Sequence, residues 1–343
     1  MGDTVADIFC GSGTTVLEAL LLRRQAVGID ANPLSALITH AKITPLREPD
    51  LSEFDTFRLT ISQTATNIYP GEADLFGQGK PFVSLGRRPD PETLEFWFEP
   101  WVVEELAEIS LRISHLQSRS LRTLAEVAMS SIVVAVSKQD SDTRYVRRDK
   151  AIEPGDTLRR FLGALDATGA AAKQIADLLE DDPPATVMCA NVLDAPDIPR
   201  VDLVVSSPPY PNAYSYHLYH RTRLLWLGWD PEKFKAIEIG SHRKYSRKGS
   251  GRATEETFLA EFRAIMAWLS DKVRIGGHCC FVVGDSTLDG RRVDNADIIA
   301  KAAEENGFRE IARLSREIDS AKKSFNPVIG KIRSEKILVL RRR

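Results

Sequence analysis

The chain has 343 residues, of which 43% are hydrophobic and 27% charged, and 46 basic against 48 acidic residues give a formal net charge of −2. This composition is typical of a folded globular protein and excludes a chain that is disordered throughout. It also excludes a polycation that coats nucleic acid, so any nucleic-acid contact has to be local. The apolar runs are shorter than the ~18–20 residues of a membrane span. Because the start also lacks a secretory signal pattern, we expect a cytoplasmic protein without membrane contact.

The first 35 residues carry the clearest pattern. An apolar run, TVADIFC, is followed by the glycine-rich turn GSGTT, the helical stretch VLEALLLRR and a second apolar run, AVGID. This order predicts a strand, a tight turn, a helix and a parallel second strand, joined by a right-handed crossover. The turn then lies at the carboxyl end of the first strand, where open α/β sheets bind ligands.

Residues 45–184 differ in texture and are predicted to form a mainly helical insertion. Apolar residues recur at intervals of three and four over 92–116, and 121–136 and 157–180 also have helical patterns. The stretch 65–92 is rich in Gly, Pro and Asp and is predicted to be its loop.

The alternation of strands and helices resumes after the insertion. Apolar runs predict strands at 185–189, 201–206, 278–285, 309–318 and 335–343. The last two are predicted to form a closing antiparallel pair, and helical patterns occupy 258–273 and 296–306. Residues 1–44 and 185–343 are therefore predicted to form one α/β domain.

The turn after the first strand has the features of a nucleoside site. Gly11 and Gly13 allow the backbone to approach a ligand closely, and the helix that follows presents free N–H groups. Asp30 ends the second strand, where an acidic side chain accepts hydrogen bonds from ribose hydroxyls. A dinucleotide dehydrogenase would have a third Gly where this chain has Val16, and is disfavoured. The structural alternative is a tight turn with a surface Asp.

The run from Asp7 to Thr15, followed by Gly28-Ile29-Asp30, closely resembles motifs I and II of the S-adenosylmethionine-dependent DNA amino-methyltransferases, which modify exocyclic amines of DNA bases. The resemblance implies S-adenosylmethionine as cofactor, with Asp30 on its ribose. It implies Asn191, or alternatively Asp194, near its adenine amine. The cofactor-binding residues implied by position are Asp7, Phe9, Cys10, Gly11, Ser12, Gly13, Thr14, Thr15, Glu18, Asp30, Asn32 and Asn191.

The strand at 201–206 runs directly into Ser207-Pro208-Pro209-Tyr210. Two prolines fix φ and withhold two N–H donors, so nearby carbonyls face a small cavity as acceptors, which suits a substrate amine. Ser207 Oγ and the Pro208 carbonyl can accept the two amine hydrogens, and Tyr210 offers a flat face to an extruded base. A proline turn without chemistry is the structural alternative.

Ser-Pro-Pro-Tyr resembles motif IV of the same family, in which Ser at the first place is typical of cytosine N4 methylation and Asp or Asn of adenine N6 methylation. The implied catalytic residues are Ser207, Pro208, Pro209 and Tyr210. The cytosine C5 enzymes use a Pro-Cys nucleophile, a form absent from this sequence, so Cys10 is interpreted as a wall residue.

The segment 240–252 carries basic residues without one acid, and is predicted to contact DNA phosphates; a solvated loop is the alternative. Its predicted nucleic-acid-binding residues are Arg243, Lys244, Arg247, Lys248 and Arg252. His217 and His220 stand three apart, but no nearby Cys or acid completes a metal site, so we expect polar or packing roles and no metal.

The resemblance implies a Rossmann-like class I methyltransferase fold, with a mostly parallel seven-stranded sheet and an antiparallel last strand. The insertion at 45–184 stands where the family has its target-recognition region. A further family element, motif X, should precede the first strand, but only four residues do so. Either a missing N-terminal segment or a partner subunit supplies that wall, or the pocket is open on one side.

The function implied is a site-specific DNA methyltransferase of a restriction-modification system, with cytosine N4 favoured. Adenine N6 in DNA and an RNA base amine such as guanine N2 keep the fold and change the substrate. A non-catalytic subunit of a modification or defence complex is the alternative from another class, suggested by the missing N-terminal element.

Overall fold

The computed structural model describes residues 2–68, 82–142, 144–179, 184–211, 214–246, 252–317 and 334–343. Its strands are β1 (Thr4–Asp7), β2 (Gln25–Asp30), β3 (Gln139–Ser141), β4 (Arg144–Arg147), β5 (Ala185–Cys189), β6 (Val201–Ser206), β7 (Val273–Gly284), β8 (Ser286–Leu288), β9 (Arg291–Val293), β10 (Phe308–Glu317) and β11 (Ser334–Arg342). Its helices are α1 (Thr14–Leu21), α2 (Pro33–Lys42), α3 (Asp50–Ile68), α4 (Pro91–Trp97), α5 (Pro100–Ser114), α6 (Arg119–Val133), α7 (Asp156–Leu178), α8 (Tyr216–Tyr219), α9 (Arg221–Trp226), α10 (Pro231–Ile237), α11 (His242–Ser246), α12 (Glu255–Lys272) and α13 (Asn295–Glu305).

The main sheet of the described residues has seven strands in the order β10-β11-β7-β6-β1-β2-β5. The strands from β7 to β5 pair in parallel, whereas β11 runs antiparallel to both of its neighbours, β7 and β10. A mostly parallel sheet with an antiparallel last strand confirms the predicted Rossmann-like class I methyltransferase fold.

The chain divides into two compact units. Unit 1 consists of Met1–Thr39, Asp181–His217 and Glu232–Arg343 and contains the seven described strands of the main sheet. Unit 2 consists of His40–Glu180 and Leu218–Pro231 and is mainly helical.

The core of unit 1 lies around the central strands, because their side chains are covered on both faces. All four residues of β1 are buried, and Ile29, Val204 and Cys279 of the neighbouring strands have no exposed surface. Strands buried on both faces read as continuous apolar runs, which is why the sequence pattern predicts them well. One prediction needs correction: β7 begins at Val273 rather than at 278, since it takes in the Gly276-Gly277 turn after α12.

Unit 2 has its own apolar core among α3, α5, α6 and α7. Its organising polar group is Glu105, a fully buried carboxylate that accepts hydrogen bonds from the backbone N–H groups of Gly155, Thr157 and Leu158 at the start of α7. A carboxylate at a helix N-terminus satisfies donors that lack intrahelical partners.

The predicted elements of the insertion need three corrections. The pattern at 92–116 is two helices, α4 and α5, because Pro100 begins a new helix after the extended residues Phe98 and Glu99. Helix α3 and the hairpin β3–β4 have no counterpart in the prediction. The predicted loop at 65–92 begins inside α3, and its residues 69–81 lie outside the described part of the chain.

Among the helices of the described residues, none combines the length and the hydropathy that crossing a lipid bilayer requires.

Candidate functional site

The carboxyl ends of β1 and β6 meet at one edge of the sheet. The two strands pair in parallel, with Val5 opposite Leu203 and Ala6 opposite Val204. The glycine-rich turn that follows β1 and the proline turn that follows β6 therefore begin side by side. This edge is where open parallel sheets bind their ligands.

Ser206, the last residue of β6, connects the two turns directly. Its Oγ donates a hydrogen bond to Asp7 Oδ1 (2.6 Å) and accepts one from the backbone N–H of Phe9 (3.1 Å). Phe9 N also donates to Asp7 Oδ1 (3.2 Å). Burial raises the pKa of the Asp7 carboxyl, while the hydrogen bond from Ser206 opposes that shift. Sequence reasoning missed Ser206, because its role depends on a contact between strands that are far apart in the chain.

The glycine turn is held from behind by Thr39. Thr39 Oγ1 donates to the Gly11 carbonyl (3.2 Å) and lies 3.4 Å from the thiol of Cys10. Gly13 has φ +78°, and a Cβ there would lie 2.8 Å from Thr39 Cγ2. Gly11 has φ +51°, and a Cβ there would lie 3.9 Å from the Phe9 carbonyl oxygen, an ordinary contact distance, so its conformation and not crowding favours glycine. These two positions require glycine for different reasons, conformation at Gly11 and conformation with close packing at Gly13.

Val16 stands where a dinucleotide fold would have its third glycine, and the structure shows why a larger residue fits. Val16 is buried in α1, and a Cβ on Gly28 of β2 would lie 2.9 Å from Val16 Cγ2. The close approach of helix and strand is thus provided by Gly28. Cys10 is also buried here, which raises the pKa of its thiol to about 12, with Asp30 adding to the effect. A thiol with that pKa is protonated near neutral pH and is not a nucleophile.

Asp30 faces the glycine turn from the end of β2. Its Oδ2 accepts the N–H of Gly11 (2.9 Å) and its Oδ1 accepts the N–H of Asn32 (2.8 Å). Burial raises the pKa of this carboxyl to about 6, although both N–H donors lower it. At neutral pH the side chain is therefore mostly ionised and carries lone pairs suited to hydroxyl donors.

Two predicted cofactor residues serve as helix caps in the structure. Asn32 is buried, and its Oδ1 accepts the N–H of Leu34 in the first turn of α2 (3.1 Å). Asn191 Oδ1 accepts the N–H of Leu193 (3.0 Å) at the 3₁₀ turn that follows β5. Both side chains are thus oriented by local capping, and their contact with a cofactor stays a prediction. Of the remaining predicted residues, Ser12, Thr14 and Glu18 are exposed beside the turn, as is the alternative residue Asp194.

The proline turn places two hydroxyls on one carbonyl. Ser207 Oγ donates to the carbonyl of Val282 in β7 (3.1 Å), and Tyr210 Oη donates to the same oxygen (3.3 Å). The two hydroxyl oxygens are 3.4 Å apart. Burial raises the pKa of Tyr210, so its hydroxyl remains protonated. Because the proton of Ser207 points to Val282, the lone pairs of Ser207 Oγ are turned away from β7, and Ser207 is exposed.

The segment 238–242 supports the proline turn and was missed by sequence reasoning. Gly240 has φ +73°, and a Cβ there would lie 2.8 Å from the Tyr210 carbonyl oxygen. The buried Glu238 accepts the N–H of Tyr216 (2.6 Å) and a hydrogen bond from His217 Nδ1 (2.6 Å). A lone glutamate in a surface-like sequence gives no signal of this role; only the glycine two residues later could have drawn attention to the segment.

The predicted phosphate-contacting segment is partly helical and partly neutralised. Helix α11 occupies His242–Ser246, and its Tyr245 is buried. Lys244 forms an ion pair with Glu261 (Nζ–Oε1 2.5 Å), and Arg252 forms one with Asp289. Acids distant in sequence thus offset charges that looked unopposed within 240–252, whereas Arg243 of α11 is exposed. The other two predicted residues, Arg247 and Lys248, lie outside the described residues.

His217 is one half of the buried pair with Glu238, and burial, together with Arg223, lowers the pKa of His220 to about 4. In the described parts of the chain, no cluster of three or more His, Cys, Asp or Glu side chains has the arrangement of a metal site.

Comparison with known proteins gives matches among DNA methyltransferases. The family model described as DNA methylase, of the N6/N4 type, matches residues 1–38, which include the whole glycine turn and Asp30. The predicted resemblance to the amino-methyltransferase family is confirmed. With it, S-adenosylmethionine is confirmed as the cofactor that the family uses. The match ends before Ser207, so the family model says nothing about the proline turn, and the interpretation of that turn rests on its geometry.

Two curated relatives extend the likeness. The chain is 26% identical over 245 residues to the Type II methyltransferase M.MvaI of Kocuria varians, which covers 64% of this chain and 50% of that protein. It is 25% identical over 274 residues to the Type II methyltransferase M.BsoBI of Geobacillus stearothermophilus, covering 69% of this chain and 49% of that protein. The chain therefore spans about half the length of the curated relatives it matches.

A solved structure, a putative DNA modification methylase from Thermus thermophilus complexed with S-adenosyl-L-methionine, is 20% identical, with a TM-score of 0.27. The match covers 45% of this chain and 53% of that one. The fold assignment of the present chain rests on its own strand order.

Proposed function

We propose that this chain transfers a methyl group from S-adenosylmethionine to the exocyclic amine of a flipped base in DNA, with cytosine N4 as the target. The observation that carries the proposal is the double hydrogen bond of Ser206 to Asp7 and Phe9. It joins the glycine turn to the strand that leads into Ser207, so donor and acceptor pockets share one sheet edge. The Type II methyltransferases among the relatives support DNA as the substrate.

The cofactor end fits a nucleoside with a charged side chain. The backbone at Gly11, which carries no Cβ, and the first turn of α1 can approach the methionine part closely. Asp30, ionised above about pH 6, can accept the two ribose hydroxyls while it still holds the N–H groups of Gly11 and Asn32. Bound there, S-adenosylmethionine would supply an electrophilic methyl group on its sulfonium.

The substrate end has to orient a weak nucleophile. The lone pair of a base amine is delocalised into the ring, so the nitrogen has to be held while its geometry changes. Ser207 Oγ, whose proton is committed to Val282, accepts one amine hydrogen, and the Pro208 carbonyl accepts the other. Tyr210, fixed by its hydroxyl on Val282, stacks on the base. The amine nitrogen would form a bond to the methyl carbon as the methyl–sulfur bond breaks and its electron pair goes to sulfur, which leaves a neutral thioether. The nitrogen would then lose one proton to solvent, so no covalent enzyme intermediate is needed.

The choice of cytosine rests on Ser207 at the first place of the tetrapeptide, by resemblance to the family. A serine hydroxyl is shorter than an Asp or Asn side chain, so it leaves the acceptor further from an incoming ring. The insertion at 45–184 is proposed as the target-recognition region, and Arg243 as a phosphate contact beside the base pocket.

The decisive experiment identifies the modified nucleoside. The protein is expressed in a host without methylases, its DNA is digested, and the nucleosides are analysed by mass spectrometry alongside a Ser207→Ala variant. N4-methylcytosine in the wild-type sample alone supports the proposal. N6-methyladenine as the only product would refute the cytosine assignment, and a modified base amine only in RNA would refute DNA as the substrate. No methylation of DNA or RNA with purified protein and labelled cofactor would favour a non-catalytic subunit.

A further inference from the structure

A basic pocket lies at the opposite edge of the sheet in unit 1. Its volume is about 260 Å³. It is lined by Ile275, Gly276, Arg309, Arg341, Arg342 and Arg343. The pocket lies at the start of β7, whereas Val282, which anchors the proline turn, lies near the end of the same strand. At ~3.3 Å per residue, about 20 Å of strand separates the two places. The pocket is therefore distinct from the candidate active site.

The strand register places like charges directly opposite each other in this pocket. Arg309 of β10 is paired with Arg341 of β11. Directly opposed like charges destabilise an antiparallel pair, and an anion between the two guanidinium groups would remove that cost. At the other end of the same two strands the register pairs Arg316 with Glu335, which is the arrangement that favours the strand pair.

Three of the four arginines of this pocket have no carboxylate partner among the described residues, unlike other arginines of β10 and β11. Arg313 pairs with both Glu310 and Asp297. By contrast, Arg309 and Arg341 have no ion pair with any described residue. Arg342 donates to the backbone carbonyl of Val273.

The charge of the fourth arginine, Arg343, has only a distant carboxylate partner. It reaches Glu304 at 4.0 Å, and both of these side chains are largely exposed. The positive charge of the pocket is therefore hardly offset.

Backbone turns and one apolar side chain form the walls of the pocket. Gly276 has φ +81°, and a Cβ there would lie 3.7 Å from Arg341 Nη2, so the turn brings its backbone close to the guanidinium. The backbone N–H of Arg343 donates to the Gly307 carbonyl (2.9 Å), which fixes the end of β11 beside the start of β10. Ile275 is 81% exposed and contributes an apolar wall.

We propose that this pocket is a phosphate-binding site, with Arg309 and Arg341 as its principal ligands. Planar guanidinium groups bind phosphate oxygens through two parallel hydrogen bonds, and a phosphate between Arg309 and Arg341 turns their repulsion into a shared attraction. The phosphate is either that of a nucleic-acid backbone or a free one.

Calorimetric titration with inorganic phosphate tests the site itself. Arg341→Gln and Arg309→Gln each weaken phosphate binding at least tenfold. The matched control is Arg274→Gln at the same sheet edge, which also removes one positive charge. Arg274 already forms an ion pair with Asp202 (2.5 Å), so this substitution should leave the phosphate affinity within twofold of the wild type. Equal affinities in all variants, or no phosphate binding by the wild type, would overturn the proposal.

Titration with a short DNA duplex at several salt concentrations separates the two sources of phosphate. If the source is a nucleic-acid backbone, Arg341→Gln lowers the slope of log K against log salt by about 1 and Arg274→Gln does not. If the source is free phosphate, the slope is the same in both variants while the phosphate titration still separates them. Binding of poly-glutamate through these arginines, without phosphate binding, would overturn the proposal in favour of an acidic protein segment.

Thermal denaturation separates a binding role from a structural one. Because Arg341→Gln removes a like-charge pair, its Tm without phosphate is equal to or above that of the wild type. A lower Tm would indicate that the arginines stabilise the fold and would count against the site. These measurements do not involve methyl transfer, so their failure leaves the proposed function untouched.

Discussion

Ser206 Oγ donates a hydrogen bond to Asp7 Oδ1 at 2.6 Å, although the two residues are 199 positions apart in the chain. The same Oγ accepts the N–H of Phe9, so one hydroxyl fixes the end of β6, the end of β1 and the entry to the glycine turn. Asp7 is buried, and an unsatisfied carboxylate there would be costly. The alignment of the two turns therefore depends on this serine as well as on the pairing of β1 with β6.

Replacing Ser206 with alanine should lower the free energy of unfolding by about 1–3 kcal/mol, the cost of leaving buried polar groups without a partner. Chemical denaturation measures this difference. Ser114→Ala is the matched control, because Ser114 is exposed and its hydroxyl only donates to a carbonyl of its own helix; its effect should stay within about 0.5 kcal/mol. Equal effects of the two variants would show that the Ser206 bridge contributes nothing to stability.

Gly13→Ala should lower the free energy of unfolding by about 2–5 kcal/mol. An L-residue in the left-handed region costs ~1–2 kcal/mol, and the contact with Thr39 adds an overpacking cost of ~1–3 kcal/mol. Gly163→Ala in α7 is the control: no atom lies within 4 Å of its added Cβ, so stability should rise by about 0.4–1 kcal/mol. Opposite signs in denaturation curves would support the packing argument, and two stabilising substitutions would contradict it.

The sequence predicts the sheet of this protein because its central strands are buried on both faces and because a glycine turn and a proline turn each follow an apolar run. The same local patterns locate Asp30 and Ser207. The connections made by Ser206, Glu238 and Thr39 depend on contacts between distant segments, which periodicity does not report. Local composition likewise does not report that Glu261 and Asp289 form ion pairs with Lys244 and Arg252 in the folded chain, and the phosphate contacts of 240–252 stay a prediction.

The pKa of Asp30 predicts how pH affects stability. Burial raises it from 3.8 in an unfolded chain to about 6 in the fold. A raised pKa contributes stability that is complete below pH 3.8 and is lost as the pH rises through about 6. Asn does not titrate, so the Asp30→Asn variant lacks this pH dependence. Its free energy of unfolding minus that of the wild type should therefore increase by up to ~3 kcal/mol as the pH rises from 3.8 to about 6. Denaturation at a series of pH values measures it.

An opposite slope serves as the control for this prediction. The pKa of Asp90 is lowered by its hydrogen bond to Thr93, so its contribution is present at higher pH and is lost as the pH falls. The corresponding difference for Asp90→Asn should therefore decrease with pH. Calorimetry adds a functional readout: cofactor affinity of the wild type should rise as the pH passes through about 6, and a pH-independent affinity would remove Asp30 from the cofactor site.

Glu238→Gln should loosen the support of the proline turn. Glu238 and His217 are both buried, and the two carboxylate oxygens of Glu238 accept hydrogen bonds from Tyr216 N and His217 Nδ1. The substitution replaces one of these oxygens by an NH2 group. One buried donor then loses its acceptor, which should lower the free energy of unfolding by about 1–3 kcal/mol. Glu232→Gln in α10 is the matched control, because Glu232 is exposed and pairs with Lys235; its effect should stay within about 0.5 kcal/mol. A turnover as high in Glu238→Gln as in Glu232→Gln would show that the pair does not position Tyr210.

Ser207→Ala separates holding the amine from binding the cofactor. The substitution removes the hydroxyl that accepts an amine hydrogen, and the loss of one such bond, ~1–3 kcal/mol, corresponds to a decrease in turnover of roughly 5–150-fold. Affinity for S-adenosylmethionine should not change, because no hydrogen bond of Ser207 reaches the described residues of the glycine turn. Tyr210→Phe is the companion variant: it keeps the ring and loses only the hydroxyl on Val282, so its turnover should fall less. A lower turnover in Tyr210→Phe than in Ser207→Ala would contradict the prediction. It would show that the hydrogen bond from Tyr210 to the Val282 carbonyl is the more important one, and that Ser207 is not the acceptor of the amine hydrogen.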